Sequence, residues 1–83
     1  MSTFDKFLDM ILSGKQDNNV RFKDLQTFLK SLGFHECIKG DHFIYNHDNY
    51  VERIVIQPNG NKAKPYQVKQ IRQIILKYHL GGE

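Results

Sequence analysis

The chain has 83 residues, enough for one small domain, and a formal net charge of +3. Its single cysteine excludes an intrachain disulfide, which fits a reducing compartment. No window approaches the ~20 apolar residues of a membrane-spanning helix, and MSTFDKFLDMILSG lacks the basic leader and long apolar run of a secretory signal. We therefore expect a cytoplasmic protein whose core is too small for a deep pocket, so that any site is shallow.

The charges are distributed unevenly along the chain. Residues 1–52 carry six basic and eight acidic side chains, whereas residues 53–82 carry six basic side chains and no acidic one. A long tract without a carboxylate favours a polyanionic partner such as a nucleic acid. A solvated helix face with incidental lysines is the alternative interpretation of the same tract.

Two amphipathic helices are predicted in the first part of the chain. Apolar residues recur every three or four positions over residues 3–13 and again over residues 22–32. Gly14 and Gly33 follow these runs, and glycine readily adopts the left-handed conformation that ends a helix. The polar stretch KQDNN between the helices is predicted to be a loop.

After Gly33 the apolar period changes from 3.6 to 2, which predicts three strands over residues 34–39, 42–47 and 50–57. Tight turns at GD and DN would join them into an antiparallel meander. Cys37 is expected to be a buried thiol in the first strand, because free cysteine behaves as a small apolar side chain.

The middle strand has two chemically different faces. Alternation places Phe43 and Tyr45 on one face and His42, Ile44 and Asn46 on the other. The apolar face of three strands must be covered, and the second and last helices are the obvious cover. The sequence therefore predicts a two-layer α+β domain in which the other sheet face is partly open.

A loop, PNGNKAK, is predicted after the third strand, and Pro65 suits the first turn of a last helix. Val68, Ile71 and Ile75 lie on one face of that helix, which Gly81-Gly82 is predicted to end.

Among the four histidines, His42 has the most suggestive surroundings, since it follows a glycine turn and lies three residues after Lys39. Histidine titrates near neutral pH and is a natural acid or base for chemistry on a polyanion. We expect His35 on a strand surface, His47 in a turn and His79 near a helix end. No metal site is expected, because His42 and His47 would point to opposite faces of one strand and no further ligand has zinc-site spacing.

Several short segments together are similar to the HicA family, the mRNA-cleaving toxins of bacterial and archaeal toxin–antitoxin pairs. They are Gly33-Phe34, Gly40-Asp41-His42, Tyr45, the strand RIVIQP and the segment GNKAKPYQVKQIRQIILKYHL. The resemblance covers about residues 22–80 and implies the α-β-β-β-α order of a double-stranded-RNA-binding domain, with a three-stranded antiparallel sheet. Residues 1–20 would then be an N-terminal helical extension within one domain spanning residues 1–83.

The resemblance implies an mRNA interferase. RNA can be cut without a metal or other cofactor, because its own 2′-hydroxyl attacks the adjacent phosphate, and a shallow site suits single-stranded RNA splayed across a surface. His42 would be the catalytic residue in the turn formed by Gly40 and Asp41, where the family usually has serine in place of the aspartate. A HicB-type antitoxin would be the protein partner that blocks the site. Four lysines would contact the RNA, namely Lys39, Lys62, Lys64 and Lys69.

Two other functions remain open at this point. The chain could be an RNA-binding module of the same fold without catalysis, for which Asp41 is the best support. It could also be an interaction protein whose open sheet face docks another protein, although the acid-free tract argues against that.

Overall fold

The computed structural model describes residues 3–81, in which three α-helices occur. They are α1 (Thr3–Ser13), α2 (Phe22–Ser31) and α3 (Pro65–Tyr78), and a single 3-10 turn lies at Asp17–Asn19. None of the helices in the described part of the chain is long and apolar enough to cross a membrane.

Three strands form an antiparallel sheet in the order β1 (His35–Lys39), β2 (His42–His47) and β3 (Tyr50–Ile56). The helix–strand–strand–strand–helix order and the meander confirm the predicted α+β fold, which is that of a double-stranded-RNA-binding domain with an extra helix before it.

The segment PNGNKAK is not the simple loop that its composition predicts. It contains two two-residue strands, β4 (Pro58–Asn59) and β5 (Lys62–Ala63), which pair with each other. Pairing is possible because Gly60 adopts a positive φ of 65° and reverses the chain between the two strands.

The last helix also ends earlier than predicted. His79 adopts the left-handed conformation with a φ of 55°, and the Leu80 N–H donates to the Ile75 carbonyl at 3.0 Å. Gly81, predicted to end the helix, follows this cap, and Gly82 lies outside the described residues.

All three helices pack on one face of the sheet. The core on this face combines buried side chains of α1, α2 and α3 with Tyr45, Ile54 and Ile56 from the strands. The strand register places Cys37 and Val55 on either side of Ile44 on the opposite face, and it shifts only between Tyr45 and His47. We call this opposite side the open face, because no helix of residues 3–81 packs on it.

The first helix is an integral part of the core. Ile11 is completely buried and Leu8 nearly so, and both belong to the main apolar cluster. Arg72 of α3 fixes the end of α1, since its guanidinium donates to the Ile11 carbonyl at 3.0 Å and to both Asp17 carboxylate oxygens at 2.9 and 3.0 Å. Gly14 permits this approach, because a Cβ there would lie 3.3 Å from the Arg72 Nη1.

The second half of strand β2 is held in place by bonds from Tyr45 and His47. The buried Tyr45 hydroxyl donates to the Glu36 carboxylate at 2.5 Å, which lowers the pKa of Glu36. His47 does not lie in the turn that its neighbour Asp48 suggests, but ends the strand predicted over residues 42–47. It is the half-buried last residue of β2, accepts the Asn49 N–H at 3.1 Å and contacts the Leu32 carbonyl at 3.2 Å.

Candidate active site

The β1–β2 turn places His42 at one corner of the open face. Gly40 alone within this turn has a positive φ, 62°, which corresponds to a tight hairpin with glycine at its first central position. Lys39 and His42 are therefore direct cross-strand partners at the two ends of the turn. On the other side of His42, Phe43 pairs with Ile56, and this register brings Gln57 next to the histidine.

The His42 imidazole is bonded at both ring nitrogens. Its Nδ1 lies 3.3 Å from the Asp41 Oδ1, and its Nε2 lies 3.2 Å from the Gln57 Nε2. The Gln57 amide also donates to the Asp41 Oδ2 at 3.3 Å, and its oxygen accepts from the Lys64 Nζ at 3.4 Å. We call these four residues the His42 cluster.

The hydrogen bonds of the His42 cluster are mutually consistent for one tautomer of a neutral imidazole. Because the Gln57 oxygen faces Lys64, its nitrogen faces the ring and must donate, so the ring Nε2 accepts. The proton then sits on Nδ1 and points to Asp41. In this arrangement Nε2 carries the lone pair, as a general base requires.

The site is shallow, as the sequence predicts for a domain of this size. The His42 side chain is 53% exposed and that of Asp41 is 74% exposed. A site this open cannot enclose a small molecule, but a polymer lying across the surface can reach it.

The structure brings together only part of the predicted set of lysines. Lys39 is the cross-strand partner of His42, and Lys64 joins its cluster through Gln57. Lys62 lies in β5 opposite Asn59, and Lys69 lies on the exposed side of α3. Within residues 3–81 no hydrogen bond or ion pair connects Lys62 or Lys69 to the His42 cluster.

The acid-free tract is less strongly basic in three dimensions than in sequence. Arg72 is paired with Asp17, and Lys77 donates to Glu52 at 2.7 Å, so acidic residues from the first part of the chain neutralise two of its six cations. In the described residues the remaining four have no carboxylate within ion-pair distance, and they are Arg53, Lys62, Lys64 and Lys69.

Two features of the site were not foreseen from the sequence. Gln57 is the central member of the His42 cluster, yet a glutamine at the end of an apolar strand gives no chemical signal. The prediction that Cys37 is buried is wrong. Its thiol is exposed, because β1 is an edge strand and Cys37 points to the open face.

For residues 3–81 the side chains include no group of three or more histidine, cysteine, aspartate or glutamate residues that could hold a metal ion.

Comparison with known protein families decides the class of the chain. Residues 22–78 match the family model described as the HicA toxin of bacterial toxin–antitoxin systems. The chain belongs to the HicA toxin family. The match includes every residue of the His42 cluster, whereas α1 precedes it. No curated protein and no solved structure matches this HicA chain.

Proposed function

We propose that this HicA protein is an mRNA interferase, a metal-independent endoribonuclease that cleaves single-stranded RNA and is neutralised by a HicB-type antitoxin. One observation carries the proposal. His42 lies on the open face with Nδ1 against the Asp41 carboxylate and with Nε2 as a hydrogen-bond acceptor that faces the Gln57 amide. Membership of the HicA family supports the toxin role.

RNA supplies its own nucleophile, so one general base is enough to start the reaction. His42 Nε2 takes the proton of a 2′-hydroxyl, and the 2′-oxygen forms a bond to the adjacent phosphorus. The bond from phosphorus to the 5′-oxygen breaks, and a water molecule gives that oxygen a proton. His42 then returns its own proton to the hydroxide that remains. The products are a 2′,3′-cyclic phosphate and a 5′-hydroxyl.

Gln57 indicates where the reacting hydroxyl would lie. Its amide nitrogen is 3.2 Å from His42 Nε2, which is the distance at which a 2′-hydroxyl would give up its proton. When RNA binds, the amide moves aside and can donate to a phosphate oxygen. The Lys64 ammonium is bonded to the Gln57 amide oxygen and moves with it towards the phosphate. Lys39, the cross-strand partner of His42, approaches from the other side of the imidazole. Both ammonium groups then stabilise the negative charge that develops on the phosphorane.

Asp41 has two opposing effects in this mechanism. Its carboxylate accepts from Nδ1 and so orients the imidazole, but it also repels the incoming phosphate. Serine, the usual residue of the family at this position, can orient the ring without the charge.

A HicB-type antitoxin would inhibit the enzyme by covering residues 39–45 on the open face. Amide hydrogen exchange of the chain alone and in complex with a HicB-type antitoxin measures that directly. Protection of residues 39–45 is expected, and unchanged exchange there would mean that inhibition is indirect.

The chemistry is tested with two RNAs of identical sequence, one unmodified and one fully 2′-O-methylated, in excess EDTA. We expect the unmodified RNA to be cut to products with 2′,3′-cyclic ends and the methylated RNA to stay intact. Loss of cleavage in EDTA would contradict a metal-independent reaction. Binding of both RNAs without cleavage would identify the chain as a non-catalytic RNA-binding module.

A further inference from the structure

Two cations face each other across an isolated strand contact beside the His42 cluster. Arg21, the residue that caps α2, forms an antiparallel bridge with Lys62 of β5. The hydrogen bonds of this bridge lie on either side of the pair, from the Phe22 N–H to the Asn61 carbonyl and from the Ala63 N–H to the Val20 carbonyl, both at 2.9 Å. Arg21 and Lys62 are therefore a non-hydrogen-bonded pair, the type in which opposed side chains lie closest, with Cα atoms ~4.5 Å apart.

Like charges directly opposite each other destabilise a strand pair. Both side chains are exposed, and within residues 3–81 neither has a carboxylate partner. The neighbouring acids face elsewhere. Asp17 is occupied by Arg72, and Asp24 lines the groove between α1 and α2. An anion between the two cations would convert their repulsion into attraction.

We propose that Arg21 and Lys62 form a clamp for a single phosphate of the RNA strand that is cleaved at His42, an inference that rests on the proposed function. Arg21 supplies a planar guanidinium, which suits two phosphate oxygens, and Lys62 supplies a point charge from the opposite side. Arg21 lies one residue before the part of the chain that matches the family model and outside the acid-free tract.

The clamp is placed to hold RNA that extends from the His42 cluster. Lys62 is opposite Asn59, which lies two residues beyond Gln57. From strand rise and spacing, Lys62 lies ~8 Å and Arg21 ~12 Å from Gln57, measured between Cα atoms. Lys64, the cluster member that bonds Gln57, comes two residues after Lys62 in the chain, so the cluster and the clamp meet at residues 62–64. The cations therefore form a continuous track from Lys39 to Arg21.

The clamp is tested by binding of a 2′-O-methylated single-stranded RNA of about 12 nucleotides, which cannot be cleaved, over a range of salt concentrations. Arg21→Gln, Lys62→Gln and the double variant are compared with the wild-type chain. The double variant Lys6→Gln with Lys15→Gln is the matched control. It removes the same charge from α1 and from the loop that follows it, at exposed lysines in no ion pair within residues 3–81.

Loss of one phosphate contact should reduce the slope of log K against log salt concentration by about 0.7 in the double variant, with no change in the control. Affinity should fall about eightfold at ~50 mM salt and about threefold at ~200 mM. Because the two cations share one phosphate, neither single variant should lose more slope than the double variant.

Three results would overturn the clamp. The first is a double variant that binds like the control. The second is a slope loss near ~1.4, which would mean two separate phosphates. The third is a wild-type chain that does not bind RNA, which would overturn the proposed function as well. A chain that binds RNA, loses the expected slope in the double variant and does not cleave would refute only the catalytic proposal.

Discussion

Replacing Arg72 by methionine should destabilise the fold by removing the bonds that attach the end of α1 to α3. The guanidinium makes two bonds to Asp17 and one to the Ile11 carbonyl, and the Arg72 and Asp17 side chains are only 18% and 12% exposed. Exposed ion pairs contribute ~0–1 kcal/mol, whereas breaking a buried pair costs ~3–5 kcal/mol. This largely enclosed pair should lie between those limits, at about 2–4 kcal/mol.

That loss is large for a domain of this length, whose total stability is about 4–12 kcal/mol. Thermal unfolding of Arg72→Met should show a midpoint at least ~8 °C below that of the wild-type chain, and its urea midpoint should fall to a lower concentration. The double variant Arg72→Met with Asp17→Leu should recover part of the loss, because it leaves no unpaired carboxylate. A loss below ~0.5 kcal/mol would show that the pair behaves as an exposed one, and would refute the role assigned to it.

Three further substitutions give independent tests. Ile11→Ala should cost about 2–5 kcal/mol in urea unfolding, because this fully buried side chain of α1 would leave a cavity; a loss under ~1 kcal/mol would mean that α1 is dispensable. Asp41→Ser should raise RNA cleavage up to about threefold at low salt, since one carboxylate ~6 Å from a phosphate in water costs ~0.7 kcal/mol, and a slower variant would make Asp41 a required orienting group for His42. Glu52→Gln should lower stability at neutral pH but not in strong acid. Its bond to Lys77 lowers the pKa of Glu52, so the stabilisation exists above the ordinary carboxylate pKa and disappears as the pH falls through the lowered value; equal losses at both pH values would contradict this.

Periodicity was sufficient to predict the helices and the sheet. The change from a 3.6-residue to a 2-residue period after Gly33 marks the start of the meander, and alternation in β2 assigns Phe43 and Tyr45 correctly to the core face. The same alternation could not predict the exposure of Cys37, because strand order within the sheet decides which strand is at the edge.

The contacts that define the candidate site are long-range in sequence and were only partly predictable. His42 and Lys39 are close in the chain, so their proximity follows from the glycine turn. Gln57 is fifteen residues from His42 and reaches it only through the β2–β3 register. Arg21 meets Lys62 only because β5 pairs with the residue before α2, and two two-residue strands leave no periodic signal.

The most direct test of the proposed function compares His42→Ala with His35→Ala for RNA cleavage in EDTA, with circular dichroism on the same samples. His35 is a matched control, since it is an exposed histidine on the open face whose imidazole lies 3.5 Å from an aspartate, Asp48. A general base contributes ~10²–10⁴-fold, so His42→Ala should lose at least ~100-fold in cleavage rate while His35→Ala keeps the wild-type rate and both stay folded. A folded His42→Ala protein that cleaves RNA as fast as His35→Ala would contradict the catalytic role of His42.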